Sequence, residues 1–98
     1  MTVKYGLLVL LEARPGKEAE LAAFLEQGRE LAVGEEATVT WYAFRTDDGR
    51  FGIFDTFASQ EGRQAHLAGP IASALAEVAE TLLARPPEMR QLDVLAVK

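Results

Sequence analysis

Apolar positions in this chain follow two rhythms. From Val3 to Glu12 they alternate: Val3, Tyr5, Leu7, Val9 and Leu11 share one face, and Lys4, Gly6, Leu8, Leu10 and Glu12 the other. Both faces are apolar in the middle, which predicts a strand covered on both sides. Arg14-Pro15-Gly16 breaks it, and Pro15 suits a first helical position. Leu21, Phe24, Leu25, Leu31 and Ala32 then recur at helical spacing, with Gly28 completing the stripe and Gly34 as the expected stop. Gly28 costs about 1 kcal/mol against Ala inside a helix; close approach to the sheet would explain it. Thr38 to Arg45 is rich in β-branched and aromatic residues, a second strand. Asp47-Asp48-Gly49 signals a hairpin, and Arg50 to Phe57 is the third strand. Ser59 is placed to cap a short helix from Gln60 to about Leu67. Gly69-Pro70 stops that helix and opens another, with Ile71, Leu75, Val78 and Leu82 along one stripe. After Arg85-Pro86-Pro87, Met89 to Val97 reads as a fourth strand, again apolar on both faces.

The order β-α-β-β-α-β is the ferredoxin-like α+β plan: one domain over residues 1–98, with a four-stranded antiparallel sheet. Helices cover one face of such a sheet. The other face is expected to meet its counterpart on a second copy, making a homodimer. Two facing sheets would enclose apolar space, where small ligands bind.

Composition narrows the classes. A formal charge of −5 and no Lys/Arg cluster argue against a nucleic-acid or anionic-membrane surface. The absence of cysteine excludes disulfides and thiolate chemistry. No apolar run is long enough to span a membrane, and no small-residue cleavage site follows the first strand, which points to the cytoplasm. A metal site is not expected, because the chain has one His.

Candidate chemistry gathers between Trp41 and Leu67. His66 is the single imidazole, and His is the common general base near neutral pH. Its plain alternative is a partly exposed helix-end residue near the last carbonyls. Asp55 lies mid-strand between Phe54 and Phe57, where a carboxylate is costly unless paired. It either makes a structural bond or orients His66. Hairpin register decides which aromatics join it. A two-residue turn at Asp48-Gly49 puts Tyr42 and Phe44 on the face of Asp55; a three-residue loop, Asp47 to Gly49, puts Trp41 there. The sequence does not choose, and Trp41 is the preferred candidate. Arg45 either neutralises an anionic ligand or ends a strand in solvent.

The stretches RPGKEAEL and FGIFDTFASQEGRQAHL resemble the antibiotic biosynthesis monooxygenase (ABM) domain of the dimeric α+β barrel superfamily, over nearly the whole length. Relatives usually carry Glu at the position of Asp55 and often Trp at that of Phe57. The haem-degrading branch has a Trp in place of His66 and an axial His near Ala76, and neither is present here. The resemblance implies a cofactor-free monooxygenase acting with O₂ on a small electron-rich aromatic: a phenol, hydroquinone or polyketide. His66 would be the base, Asp55 its orienter, and Trp41, Phe44 and Phe57 the walls. Two other readings share the fold: a non-catalytic dimeric barrel binding a small lipophilic molecule, and a proton-transfer isomerase or lyase.

Overall fold

The computed structural model describes residues 3–98. Alternation and helical spacing produce seven elements: β1 (Tyr5–Leu11), α1 (Glu18–Val33), β2 (Thr38–Arg45), β3 (Phe51–Phe57), α2 (Gln60–Leu67), α3 (Pro70–Leu82) and β4 (Glu88–Asp93). The strands form one antiparallel sheet in the order β2-β3-β1-β4. This is the ferredoxin-like α+β plan expected above.

One sheet face carries Leu7, Val9, Leu11, Phe51, Ile53 and Phe57, which meet Leu21 and Leu25 of α1 and Leu75 and Leu82 of α3 in one core. The helices therefore cover that face. Burying such side chains is worth roughly 1.5–3 kcal/mol each. The opposite face holds Leu8, Leu10, Tyr42, Phe44 and Phe54, with Leu10 and Tyr42 exposed. Tyr42 and Phe54 stack there, ring centroids 6.4 Å apart.

Two local expectations change, those for Pro15 and for the end of the fourth strand, and that for Gly34 is met. Pro15 does not start α1: Lys17 is the N-cap, and Gly16, at φ +85°, turns the chain first. Gly34 ends α1 with an ordinary right-handed φ of −79°, so the stop needs no left-handed glycine. The fourth strand ends at Asp93, not Val97. Asp93 pairs with Tyr5, the first residue of β1, and Val94 N–H donates one last bond to Lys4 O. Beyond that point β1 has no strand residues left to pair, and Leu95 and Val97 stand exposed.

The hairpin takes the three-residue loop. Thr46 N–H donates to Arg50 O, Arg45 pairs with Phe51, and Gly49 supplies a φ of +85°. That register sets Trp41 opposite Asp55 and Phe44 opposite Gly52. Phe44 consequently lies on the helix-free face, away from Asp55.

Gly52 is needed for space. A Cβ there would sit 2.3 Å from Phe44 Cζ and 2.8 Å from the Val9 carbonyl oxygen. The ring can rotate away, but the backbone oxygen cannot without moving β1. Gly52→Ala is expected to cost about 1–3 kcal/mol, read as a lowered melting temperature. An unchanged melt would mean that the strands yield freely.

Candidate functional site

Alternation along β3 puts Asp55 on the same face as Phe51, Ile53 and Phe57, facing the helices. Its carboxylate is thus sealed inside the helix-covered core, at 0% exposure, rather than in a space between two sheets. α2 begins where expected: Ser59 Oγ accepts from Gly62 N–H at 3.0 Å. Counting from that cap, Arg63 and His66 fall one turn apart and both face inward.

His66 is 6% exposed, so the partly exposed helix-end reading fails. Each ring nitrogen faces a carboxylate. Nδ1 lies 2.6 Å from Glu35 Oε1, and Nε2 lies 2.8 Å from Asp55 Oδ2. The first contact is a hydrogen bond, which the charged ring makes as donor. The second is an ion-pair approach outside hydrogen-bond alignment, so neither Asp55 oxygen has an aligned donor among the described residues. Phe57 packs on the ring, centroids 5.4 Å apart. Burial opposes charging the imidazole, but the close polar contacts and negative charges of Asp55 and Glu35 outweigh it. The His66 pKa is raised above its ordinary 6.5.

The sequence pattern does not mark Glu35. It follows the C-terminus of α1, where the helix dipole disfavours negative charge. An acid in so poor a local setting is a signal that its partner lies elsewhere in the fold. Thr38 Oγ1 donates to the same Oε1 at 3.0 Å, and Oε2 is buried without a partner among the described residues. A Cβ on Gly69 would come within 3.2 Å of Oε2, so glycine there leaves the carboxylate room.

Trp41 joins the site as the preferred candidate. Its indole packs beneath α1, where a Cβ on Gly28 would touch the ring at 3.4 Å; this is the close approach anticipated for that glycine. The indole Nε1 is buried and unpartnered among the described residues. A cleft of about 280 Å³ opens beside it, lined by Glu35, Trp41, Thr38, Arg29 and neighbouring apolar residues. Arg45 is not part of the site: it is exposed at the strand end, its guanidinium 5.7 Å from the Phe51 ring centroid. Phe44 is likewise excluded by register.

Arg63 is a second residue that pattern reading passed over. It is buried, donates from Nη1 to Gly6 O and Leu92 O at 3.2 Å each, and lies over the Tyr5 ring. It pins α2 to β1 and β4. Among the described residues no three His, Cys, Asp or Glu side chains form a group that could hold a metal ion. The two carboxylates at His66 approach opposite nitrogens of the ring, so they do not converge on one point. No described helix is long and apolar enough to cross a membrane.

Chemically, the arrangement is a buried proton-holding chain: carboxylate, imidazole, carboxylate. It can store a proton and exchange it at the end nearer solvent. The sequence-based assignment of His66 as a base touching its substrate does not fit, because neither ring nitrogen is free.

No family model matches the chain, and no curated protein matches it. Solved structures do. A protein of unknown function from Nitrosomonas europaea is 48% identical, with a TM-score of 0.95 over 98% of this chain and 93% of that one. A second Nitrosomonas europaea protein, named as a candidate antibiotic biosynthesis monooxygenase, is 14% identical, with a TM-score of 0.83 over 94% and 99% of the two chains. A candidate of the same name from Caulobacter crescentus is 18% identical, with a TM-score of 0.80 over 96% and 92%. The chain therefore belongs to one family with the first of these Nitrosomonas proteins, and its fold is that of the antibiotic biosynthesis monooxygenase (ABM) domain.

Proposed function

We propose that this protein is an ABM-type monooxygenase that oxidises a small electron-rich phenol or hydroquinone with O₂ and no bound cofactor. The observation that carries the reading is the buried Asp55–His66 couple next to a cleft walled by Trp41. Phenol oxidation of this kind asks three things of a protein: a proton acceptor, an aromatic pocket, and exclusion of water.

The couple, its imidazole neutral at the start of the cycle, takes up the phenolic proton. The phenolate then gives one electron to O₂, and the phenoxyl radical and superoxide combine at a ring carbon bearing hydrogen. The stored proton returns to the peroxide oxygen. Loss of the ring hydrogen as a proton, with cleavage of the O–O bond, leaves a carbonyl and one water. One oxygen atom enters the product and the other leaves as water. His66 holds the proton; Asp55, sealed behind it, orients the ring and compensates its charge, as a buried carboxylate does for a catalytic imidazole. Trp41 forms the aromatic wall of the cleft; Phe57, fully buried, packs on the His66 ring behind it and does not line the cleft.

The test is oxygen uptake with a panel of hydroquinones and anthrones. Consumption of one O₂ per substrate supports the reading. Turnover that persists without O₂ would replace it with proton-transfer isomerisation, which the same couple could perform.

The open sheet face supports a homodimer as part of this proposal. Leu8, Leu10, Tyr42, Phe44 and Phe54 form an apolar, partly exposed surface that no described helix covers. Sedimentation is expected to show a dimer, burying about 2,000 Å² or more. A monodisperse monomer at micromolar concentration would remove the dimer from the proposal.

A further inference from the structure

Exposure rises step by step along the carboxylate–imidazole chain. Asp55 is 0% exposed, His66 6% and Glu35 13%. Only Glu35 of the three lines the cleft that it shares with Trp41. Its Oε1 is held in place twice, by His66 Nδ1 at 2.6 Å and by Thr38 Oγ1 at 3.0 Å. A carboxylate used only as a counter-ion has no need to stand between the imidazole and the cleft.

We infer that Glu35 is the proton relay of this site, carrying protons between the cleft and His66. This rests on the proposed function for its purpose, but not for its test. The proton moves in two transfers. A donor in the cleft, substrate or water, gives its proton to the Glu35 carboxylate. The carboxylic acid then passes a proton to His66 Nδ1, leaving carboxylate and imidazolium. The reverse sequence discharges the site. No oxidant or reductant takes part. Thr38 is the positioning residue, because its hydroxyl fixes the rotamer in which Oε1 reaches Nδ1. The charged and titratable groups facing His66 are Asp55 from β3 and Glu35 from the α1–β2 connection. Arg63, on the same helix, is turned to the Gly6 and Leu92 carbonyls.

A relay and a structural lock predict opposite results. Because the chain has one His, its two ring protons give unambiguous signals in nitrogen-15 NMR of the whole protein. The readout is exchange of the Nδ1 proton with water, at a pH where the ring is charged. Glu35→Gln preserves shape and can still accept bonds from Nδ1–H and Thr38 through its amide oxygen, but it cannot take up a proton. Under the relay, exchange in Glu35→Gln slows at least about 100-fold, the low end of what a positioned base contributes. If Glu35 only locks the ring in place, losing the ion pair loosens it, and exchange is unchanged or faster; that result overturns the relay. Wild-type protein alone supplies a second reading, independent of whether the variant folds. The Nδ1 proton, on the Glu35 side, is expected to exchange faster than the Nε2 proton, on the Asp55 side. The reverse order would place the exit at Asp55 and also end the proposal. Neither measurement uses a substrate, so failure of the relay and failure of the oxygenase reading are separable.

Discussion

His66→Ala is expected to destabilise the protein by about 3–5 kcal/mol, the usual cost of removing one partner from a buried ion pair. Asp55 would be left sealed in the core with its charge uncompensated, and Glu35 would lose its closest partner. For a domain of this size each kcal/mol moves the melting temperature by about 4–8 °C, so the melt should drop by more than about 10 °C. On the partly exposed helix-end reading of His66 the same change would alter the melt little, because such a side chain contributes little packing. Burial at 6% exposure between two carboxylates reverses that expectation. The effect also carries a pH signature. The folded-state pKa of His66 is raised, so its charged form contributes stability that is fully present below the unfolded value of 6.5 and is lost as pH rises through the folded value. The stability gap between wild type and His66→Gln should therefore be widest near pH 6 and should shrink above it. A gap that is flat or grows with pH would show that the imidazole acts as a neutral packing group.

Asp55→Asn is expected to reduce turnover about 10²–10⁴-fold, the share usually contributed by positioned acid–base groups. Asparagine keeps the volume and removes the charge, so the imidazole loses the compensation that lets it hold a proton in the core. The measurement is oxygen uptake on any phenolic substrate found in the panel, with melts alongside. Full activity in a folded Asp55→Asn protein would mean that the couple does no chemistry. The arrangement would then be a structural ion pair, and the non-catalytic ligand-binding reading would gain.

Much of the fold was legible because its signals are local. The spacing of Leu21, Leu25, Gly28 and Ala32 specifies a helix face within one segment. Ser59 caps α2 through an atom three residues away, and Pro70 opens α3 by its own fixed φ. The extents of β2 and α2 match the sequence reading for the same reason. The sequence pattern overextends β4, because Val94 to Val97 alternates as a strand does and a pattern carries no information about whether a partner strand is available.

The site divides along the same line. His66 and Asp55 were identifiable by residue type, as a lone imidazole and a costly mid-strand carboxylate. Which aromatic accompanies them depended on a one-residue choice of loop length, which the Asp47-Asp48-Gly49 turn left open. The register of the folded hairpin brought in Trp41 and sent Phe44 to the other face. Glu35 lies 31 residues from His66, in a connection with no repeating pattern. Its meeting with the imidazole exists only once α1, β2 and α2 have packed. Propensity, capping and alternation act over a few residues, so they specify which elements form and mark His66 and Asp55 as candidates, but not Glu35. Tertiary structure alone decided that the imidazole is clamped between two carboxylates and that one of them reaches the cleft. Burial and ion pairing depend on distances between segments that no local rule encodes.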